Sequence, residues 1–353
     1  MSYLTKQRTL ETFLNLTKNE ATRGNQASIL RHFERFCLKQ FDRSMETVIE
    51  DLILVSKTDS QKIEDLFQEY ISNGFHDTNS ARTIRTHYSI ITTYLKYRKV
   101  VLDKEDLRIV LSFPRVSYEE LVPMNREIIR KFIDFASPAE KAKLLIQASS
   151  GLRNQEVCGL RKKDIQTDTV RWAIHVSTKL GKGSKARITF LSNETRRFLE
   201  PLIKELGPDD LIFVSSNSSL RSSKQYELKK FERLRVRVGL TEKYESSNRS
   251  KYTTHSFRAF FVTNAEKVHD GFGHALAGHS RYMQQYERYT LDEKLNFYLD
   301  IEPSLSIYDN VDSIGKDTRI SNLQKQVDSM KSMIDELSGR LESNSFNHVS
   351  YQV

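Results

Sequence analysis

Four short stretches of this chain carry side chains whose types and spacing suit chemistry on an anion. In SSGLRNQEVCGL, Gly151 breaks one helix and a second begins near Asn154. Arg153 then stands at the junction, near the positive end of the new helix, where anions bind well. Glu156 follows three residues on and could hold the guanidinium in place; a purely structural Arg–Glu pair has the same pattern. In TTHSFRAFF, Thr253 or Thr254 can cap a helix. His255 and Arg258 then point the same way, while Phe257, Phe260 and Phe261 cover the opposite, buried side. This is the pattern of an anion clamp, and equally of a capped surface helix. TKLGKGSKAR sets Lys179, Lys182 and Lys185 around two glycines without forming a G-x-x-x-x-G-K-[ST] loop. It reads either as a solvated cationic turn or as a mobile lysine that reaches into a site as a proton donor. In LAGHSRYMQQYERYT, Tyr282, Tyr286 and Tyr289 fall three, seven and ten residues after His279. Helical spacing would put all four on one face, either as core packing or with one phenol turned to chemistry.

These groups need a scaffold, and the periodicity of the chain outlines one. Up to about Leu111 the sequence reads as mostly helical, with apolar positions such as Ile29, Phe33 and Phe36, or Ile63, Leu66, Phe67, Tyr70 and Ile71. A further helix places Ile84, Tyr88, Ile91 and Leu95 on one face and Arg82, Arg85, Lys96, Arg98 and Lys99 elsewhere. Those cations form either a solvated face or a surface that tracks a phosphate backbone. SFPRVSYEELVPMN has two prolines and no helical period, as a domain linker does. From Asn125 two helices are expected, broken at Ser137-Pro138. Val170, Trp172, Ile174 and Val176, then Ile188 and Phe190, alternate about the glycine turn as a β-hairpin. Helices resume at NETRRFLEPLIKEL.

The tail changes period again. Ile320, Leu323, Val327, Met330, Ile334, Leu337 and Leu341 step alternately by three and four, an a/d heptad seam. Its β-branched a positions favour a parallel dimer, and an amphipathic helix docked on its own chain has the same pattern. The expected architecture is therefore mainly α with a small β-hairpin or sheet. A helical domain spans 1–111, a linker 112–124, an α+β catalytic domain 125–310 and a coiled-coil-like helix 317–343.

The totals bound the function. The chain has 353 residues, 55 Lys+Arg against 46 Asp+Glu, and a formal charge of +9. Such a balance favours polyanions, nucleic acid above all. Two cysteines, Cys37 and Cys158, lie far apart and in no metal-ligand spacing. No apolar signal core opens the sequence and no run approaches a membrane span, so a cytoplasmic, DNA-associated location is expected.

Taken in order, the motifs run Arg, Lys on a hairpin, His-x-x-Arg, Gly-His, Tyr. That order resembles the catalytic domain of the tyrosine recombinases, the family of phage integrases and Xer-type resolvases. GLRNQEVCGL is similar to the family's first arginine box, GKGSKARITFL to its lysine hairpin, HSFR to its His-x-x-Arg box and LAGHS to its second histidine box. QYERYTLDE resembles the nucleophile segment of archaeal and viral mobile-element members. The resemblance covers about Asn125 to Asp300, and the basic helical region before it is similar in pattern to the family's core-binding, SAM-like domain.

The resemblance implies a site-specific recombinase that cuts and rejoins DNA through a 3′-phosphotyrosyl intermediate. Arg153 and Arg258 would clamp the non-bridging phosphate oxygens, and His279 would donate to the same oxygens. His255 would assist proton transfer at the tyrosine, Lys182 would protonate the leaving 5′-oxygen, and Glu156 would orient Arg153. Tyr286 would be the nucleophile. One departure stands out: the family sets its tyrosine about nine residues after the second histidine, where this chain has Arg288. Tyr286 is preferred to Tyr289 because it opens the Tyr-x-Arg motif. DNA contacts are expected from Arg82, Arg85, Lys96, Arg98, Lys99 and Lys185. The resemblance further implies no metal and no cofactor, double-stranded DNA as partner, and a homotetramer on DNA, with a possible dimer through the tail. The alternatives are an Xer-like dimer resolvase, a topoisomerase-like nicking-closing enzyme, and a DNA-binding protein without catalysis.

Overall fold

The computed structural model describes residues 8–74, 80–116, 118–178, 186–213, 220–279 and 289–308, with a few positions of the tail. The chain divides into two compact units. The first comprises Met1–Glu120 with Lys243–Arg249, the second Leu121–Glu242 with Ser250–Val353. The division at Glu120 falls inside the segment that reads as a linker. Phe113 packs on the first core, and Val122 and Met124 pack on the second.

The first unit is helical throughout: α1 (Leu10–Asn15), α2 (Glu20–Phe41), α3 (Met45–Val55), α4 (Gln61–Asn73), α5 (Ala81–Tyr97) and α6 (Lys104–Val110). Local chemistry sets the helix starts. Asn19, Ser44, Ser80 and Asp103 each accept a backbone N–H of the first turn through their side chains. The apolar stripes of α2, α4 and α5 meet in one core of Phe33, Phe36, Phe67, Tyr70, Ile91 and Leu95. Tyr70 is fully buried, and its hydroxyl lies 3.0 Å from Nδ1 of both His32 and His87, which satisfies the one polar atom of the ring.

The second unit contains α7 (Arg126–Phe135), α8 (Pro138–Ser150), α9 (Asn154–Cys158), β1 (Ile165–Gln166), β2 (Ala173–Val176), β3 (Arg187–Phe190), α10 (Asn193–Ile203), α11 (Leu220–Arg237), α12 (Thr254–Glu266), α13 (Phe272–Ala277) and α14 (Leu291–Leu305). The break between α7 and α8 is at Ser137-Pro138, with Ser137 as N-cap and Pro138 opening the helix. The hairpin exists, with Ala173 opposite Phe190 and Val176 opposite Arg187. It differs from the alternating reading in two ways. The strand begins at Ala173, so Val170, partly exposed, and Trp172, buried, lie outside it. A third strand, β1, adds Ile165 opposite Ile174.

Strict alternation fails because both faces of this small sheet are covered. Ala173 and Phe190 enter a core with α8, α12 and α14, while Ile174 and Val176 enter a second core with α9 and α10. The turn itself, with Lys179, Lys182 and Lys185, lies outside the described residues, as do Tyr282 and Tyr286. Of the heptad seam, Val327, Met330 and Ile334 are described; they are helical and exposed. None of the described helices is long and apolar enough to cross a membrane.

α8 and α12 form the spine of the second unit. Phe257, Phe260 and Phe261 enter the core from α12. Tyr298 of α14 donates to the carbonyl of Ser149 at 2.9 Å, and Glu302 takes Arg171 Nε at 2.7 Å and the Asn193 N–H at 2.8 Å. α14, the helix after the tyrosine segment, is thereby fixed to α8 and α10.

Gly151 ends α8 in the left-handed region, φ +66°, where an added Cβ would lie 2.3 Å from Cδ1 of buried Phe261. Gly239 has φ +79° but nothing within 4 Å. Gly151→Ala is expected to cost about 3 kcal/mol or more of unfolding free energy, the left-handed penalty plus core overpacking. Gly239→Ala should cost only the backbone penalty, about 1 kcal/mol. Equal losses in denaturant titrations would show that the close approach of Phe261 does not matter.

Candidate functional site

Two helix C-termini and one strand bring the charged residues together. α8 ends at Gly151, the chain turns, and Arg153 N-caps α9 in extended conformation. The Arg153 N–H donates to Glu156 Oε2 at 2.7 Å and its Nη1 to Glu156 Oε1 at 3.1 Å. The expected Arg153–Glu156 pair is thus formed twice, through backbone and side chain.

Sequence reading missed the other half of this arrangement. Arg187, the first residue of β3, grips the same carboxylate with both terminal nitrogens, Nη1 to Oε1 at 3.1 Å and Nη2 to Oε2 at 2.7 Å. Its Nε donates to the carbonyl of Leu276 at 2.8 Å. The available signal was the pairing of an arginine with a buried glutamate, but nothing in the linear sequence sets residue 187 beside residue 156. Burial alone would raise the Glu156 pKa. The hydrogen bonds and charge of Arg187, then of Arg153, outweigh it and hold the carboxyl below its usual range.

α13 is the second helix whose end matters. It stops at Gly278, φ +73°, in a Schellman turn: the Gly278 N–H donates to the Ala275 carbonyl and the His279 N–H to the His274 carbonyl, both at 3.0 Å. A Cβ at Gly278 would meet Arg187 Cδ at 2.9 Å, so the turn and Arg187 are packed without slack. Arg153 Nη2 reaches the Gly278 carbonyl at 3.4 Å. The turn points the His279 main chain back into the group of arginines.

Arg258 comes from the first turns of α12, which Thr253 caps through a capping box with Ser256. It is 1% exposed, the largest fully buried side chain of the described residues. Nη1 donates to the carbonyl of Gly151, while Nε and Nη2 have no hydrogen-bond partner among the described residues. Burial, then the neighbouring charge of Arg153, lowers its pKa to about 10, so it stays a cation at neutral pH. His255, three residues earlier, is exposed. Burial first, then the charges of Arg258, Arg153 and nearby histidines, pushes His279 down to about 4. At neutral pH it is an uncharged imidazole with one N–H to give.

Arg153 and Arg187 therefore share one carboxylate, Glu156, and Arg258 stands beside them without one, so that among these four described side chains three positive charges face one negative. Each also bonds a carbonyl at the end of α8 or α13, where the helix dipole is negative. A buried cation with unpaired donors costs several kcal/mol unless an anion arrives to meet it. The unpaired donors and the positive excess suit an anion with more than one negative oxygen. Among the described residues no group of three or more His, Cys, Asp or Glu is placed to hold a metal ion.

The other expected site residues are placed as follows. Lys182, Lys185 and Tyr286 lie outside the described residues. Tyr289 is described: its ring packs edge-on against Phe297, centroids 5.5 Å apart. Arg82, Arg85 and Lys99 are exposed on or just after α5 of the first unit. Arg85 covers the Phe113 ring at 4.7 Å and, with Lys96, lines an open groove of about 850 Å³ to which α6 adds Lys104 and Arg108. Arg98 differs, since its guanidinium pairs with Glu46 and donates to the Tyr94 hydroxyl at 3.1 Å.

Residues 123–293 match the Phage integrase family. None of the curated proteins matches the chain in sequence. Among solved structures, a lambda integrase (75–356) dimer bound to a COC′ core site is similar, with 13% identity, TM-score 0.54, and coverage of 80% of this chain and 96% of that one. A lambda integrase tetramer bound to a Holliday junction has 14% identity, TM-score 0.53, and coverage of 80% and 77%. XerH site-specific recombinase bound to difH substrate has 18% identity, TM-score 0.50, and coverage of 78% and 79%. The mostly helical architecture with its small antiparallel sheet is that of the tyrosine recombinase catalytic domain.

The neutral His279 has a consequence for stability. Between its ordinary pKa near 6.5 and its folded value of about 4, the unfolded chain binds a proton that the folded chain refuses. Its contribution is complete above pH 6.5 and is lost as pH falls toward 4. His279→Gln should flatten this part of the stability–pH curve, measured by chemical unfolding. An unchanged slope would contradict the burial of the imidazole. Arg187→Met should cost about 3 kcal/mol or more in the same assay, because it removes one partner of a buried pair. A loss under about 1 kcal/mol would place that pair in the exposed class.

Proposed function

We propose that the protein is a site-specific DNA recombinase, an integrase, which breaks and rejoins DNA through a 3′-phosphotyrosyl link. The observation that carries this reading is Arg258, a buried guanidinium with two nitrogens that lack partners among the described residues, set beside Arg153 and neutral His279. Phosphodiester attack builds negative charge on the non-bridging oxygens. Preorganised donors of this kind stabilise that charge where water is excluded. The match to the Phage integrase family and the DNA-bound similar structures favour a phosphodiester over other anions.

The roles follow from the chemistry of each group. Tyr286 attacks phosphorus; a phenol, with a pKa of about 10, is both a usable nucleophile and a usable leaving group. The phosphate bond energy is kept in the adduct, so rejoining needs no ATP. Arg153 and Arg258 clamp the non-bridging oxygens, a task suited to a permanent charge with a forked geometry. His279 donates its single proton to the same oxygens. His255 takes part in the proton transfer at the phenol, and Lys182 protonates the departing 5′-oxygen. Glu156, held by Arg187, orients Arg153. Tyr286 is preferred to Tyr289 because it opens the Tyr-x-Arg motif.

The cations on and just after α5, exposed Arg82, Arg85 and Lys99 with half-buried Lys96, contact the DNA backbone, joined by Lys185 at the hairpin. Arg98 adds charge nearby while its side chain braces Glu46. Recombination requires several protomers on two duplexes, and a tetramer is the assembly this reading implies. The exposed Val327, Met330 and Ile334 are suited to self-association of the tail.

Tyr286→Phe is expected to bind duplex DNA like the wild type and to form no covalent adduct on a nicked suicide duplex, whereas Tyr289→Phe retains adduct formation. The reverse pattern would move the nucleophile to Tyr289. Arg258→Ala should slow cleavage by about 3 kcal/mol of transition-state stabilisation, on the order of 100-fold. Cleavage should persist in excess chelator, since the charge is supplied by side chains; dependence on magnesium would overturn the mechanism. Relaxation of plasmids without sequence preference would indicate a topoisomerase-like activity instead.

A further inference from the structure

His274 belongs to none of the motifs above, yet its side chain meets that of His279. The two Nδ1 atoms are 2.7 Å apart, a hydrogen bond between imidazoles. The rings are 5.0 Å apart and inclined at 48°. The Schellman turn produces this contact, because it brings the third residue before the helix end beside the second residue after it. That pair is commonly apolar; here it is two imidazoles.

The main chain at both histidines is fixed by backbone N–H bonds. The His279 N–H is bonded to the His274 carbonyl at 3.0 Å. The His274 N–H donates to Glu266 Oε1 at 2.9 Å, and the other Glu266 oxygen takes the Gly271 N–H at 2.7 Å. Glu266 thus closes the start of α13 from α12, and α13 presents His274 to His279.

A hydrogen bond between two Nδ1 atoms contains one proton, supplied by one ring. A neutral imidazole has one N–H, and the partner of one nitrogen decides whether the other carries the proton. We propose that His274 is a positioning residue whose Nδ1–H donates to Nδ1 of His279, placing the His279 proton on Nε2, from which it is donated to a non-bridging phosphate oxygen. In the opposite arrangement His279 turns a bare nitrogen lone pair toward that oxygen and repels it. The choice matters because His279 is neutral in its cationic surroundings; an imidazolium would carry both protons and need no partner. The phosphate step rests on the recombinase reading, whereas the tautomer does not.

Nitrogen NMR of the full-length protein with labelled histidine, assigned through His279→Gln and His274→Gln, reads the tautomer at neutral pH. The expected spectrum has His279 protonated at Nε2 and bare at Nδ1. His274→Phe keeps a ring and removes the donor; it should slow adduct formation on a suicide duplex about 10- to 100-fold, the usual effect of losing an outer-shell partner. Its duplex Kd and melting temperature should match the wild type, and His274→Asn, whose amide can donate, should recover part of the rate. A proton on Nδ1 of His279 in the wild type, or wild-type cleavage by a folded His274→Phe, overturns the proposal. If the wild type itself forms no adduct, the recombinase reading fails and the spectrum alone decides the tautomer.

Discussion

A single buried carboxylate sets the geometry of the second unit's charged centre. Glu156 is 1% exposed and is gripped by Arg187 and Arg153 at once. Buried ion pairs are weak sources of net stability, since desolvation offsets most of their attraction. What they provide is direction. With its plane fixed by Arg187, the Glu156 carboxylate leaves Arg153 a narrow range of orientations. Arg187 in turn holds β3 to the end of α13. One acid therefore registers three elements, α9, β3 and α13, against each other.

The rest of the charge is managed by backbone. α8 and α13 both end in a glycine with positive φ, and a site residue follows within two positions: Arg153 after Gly151, His279 after Gly278. The freed carbonyls at these two ends accept from Arg258, Arg187 and Arg153. Helix C-termini are favourable places for cations. They offset part of the repulsion among three guanidiniums without adding a second acid, so the positive excess survives. An additional carboxylate would quench that excess.

The same economy explains why His279 is neutral. Burial and the neighbouring guanidiniums make a further positive charge unfavourable there. A neutral imidazole still donates, but only from the nitrogen that its surroundings leave protonated. Main-chain geometry at the end of α13 thus reaches as far as a proton position. The first unit is built on different terms. Its core is an aromatic and aliphatic helical interior, and its cations are arrayed outside, except where Arg98 is drawn in to Glu46.

Much of this was legible in the sequence, for local reasons. Period gave α2, α4 and α5 of the first unit, whereas the shorter α1, α3 and α6 did not stand out. The break at Ser137-Pro138, the end of α8 at Gly151, the Thr253 cap and the Arg153–Glu156 pair all depend on residues within a few positions of one another. The motif order, too, is a property of the linear chain. What the sequence did not determine depends on distant segments. β1 exists because residues 165–166 find an edge of β2, and clean alternation fails because cores lie on both faces of the sheet. Arg187 is far along the chain from Glu156, and His274 owes its role to a turn whose importance is visible only once Arg153 and Arg258 stand nearby. Sequence fixes spacing along one dimension, and tertiary structure alone decides which charges share a carboxylate and which are left without one, because electrostatic energy depends on distance in space.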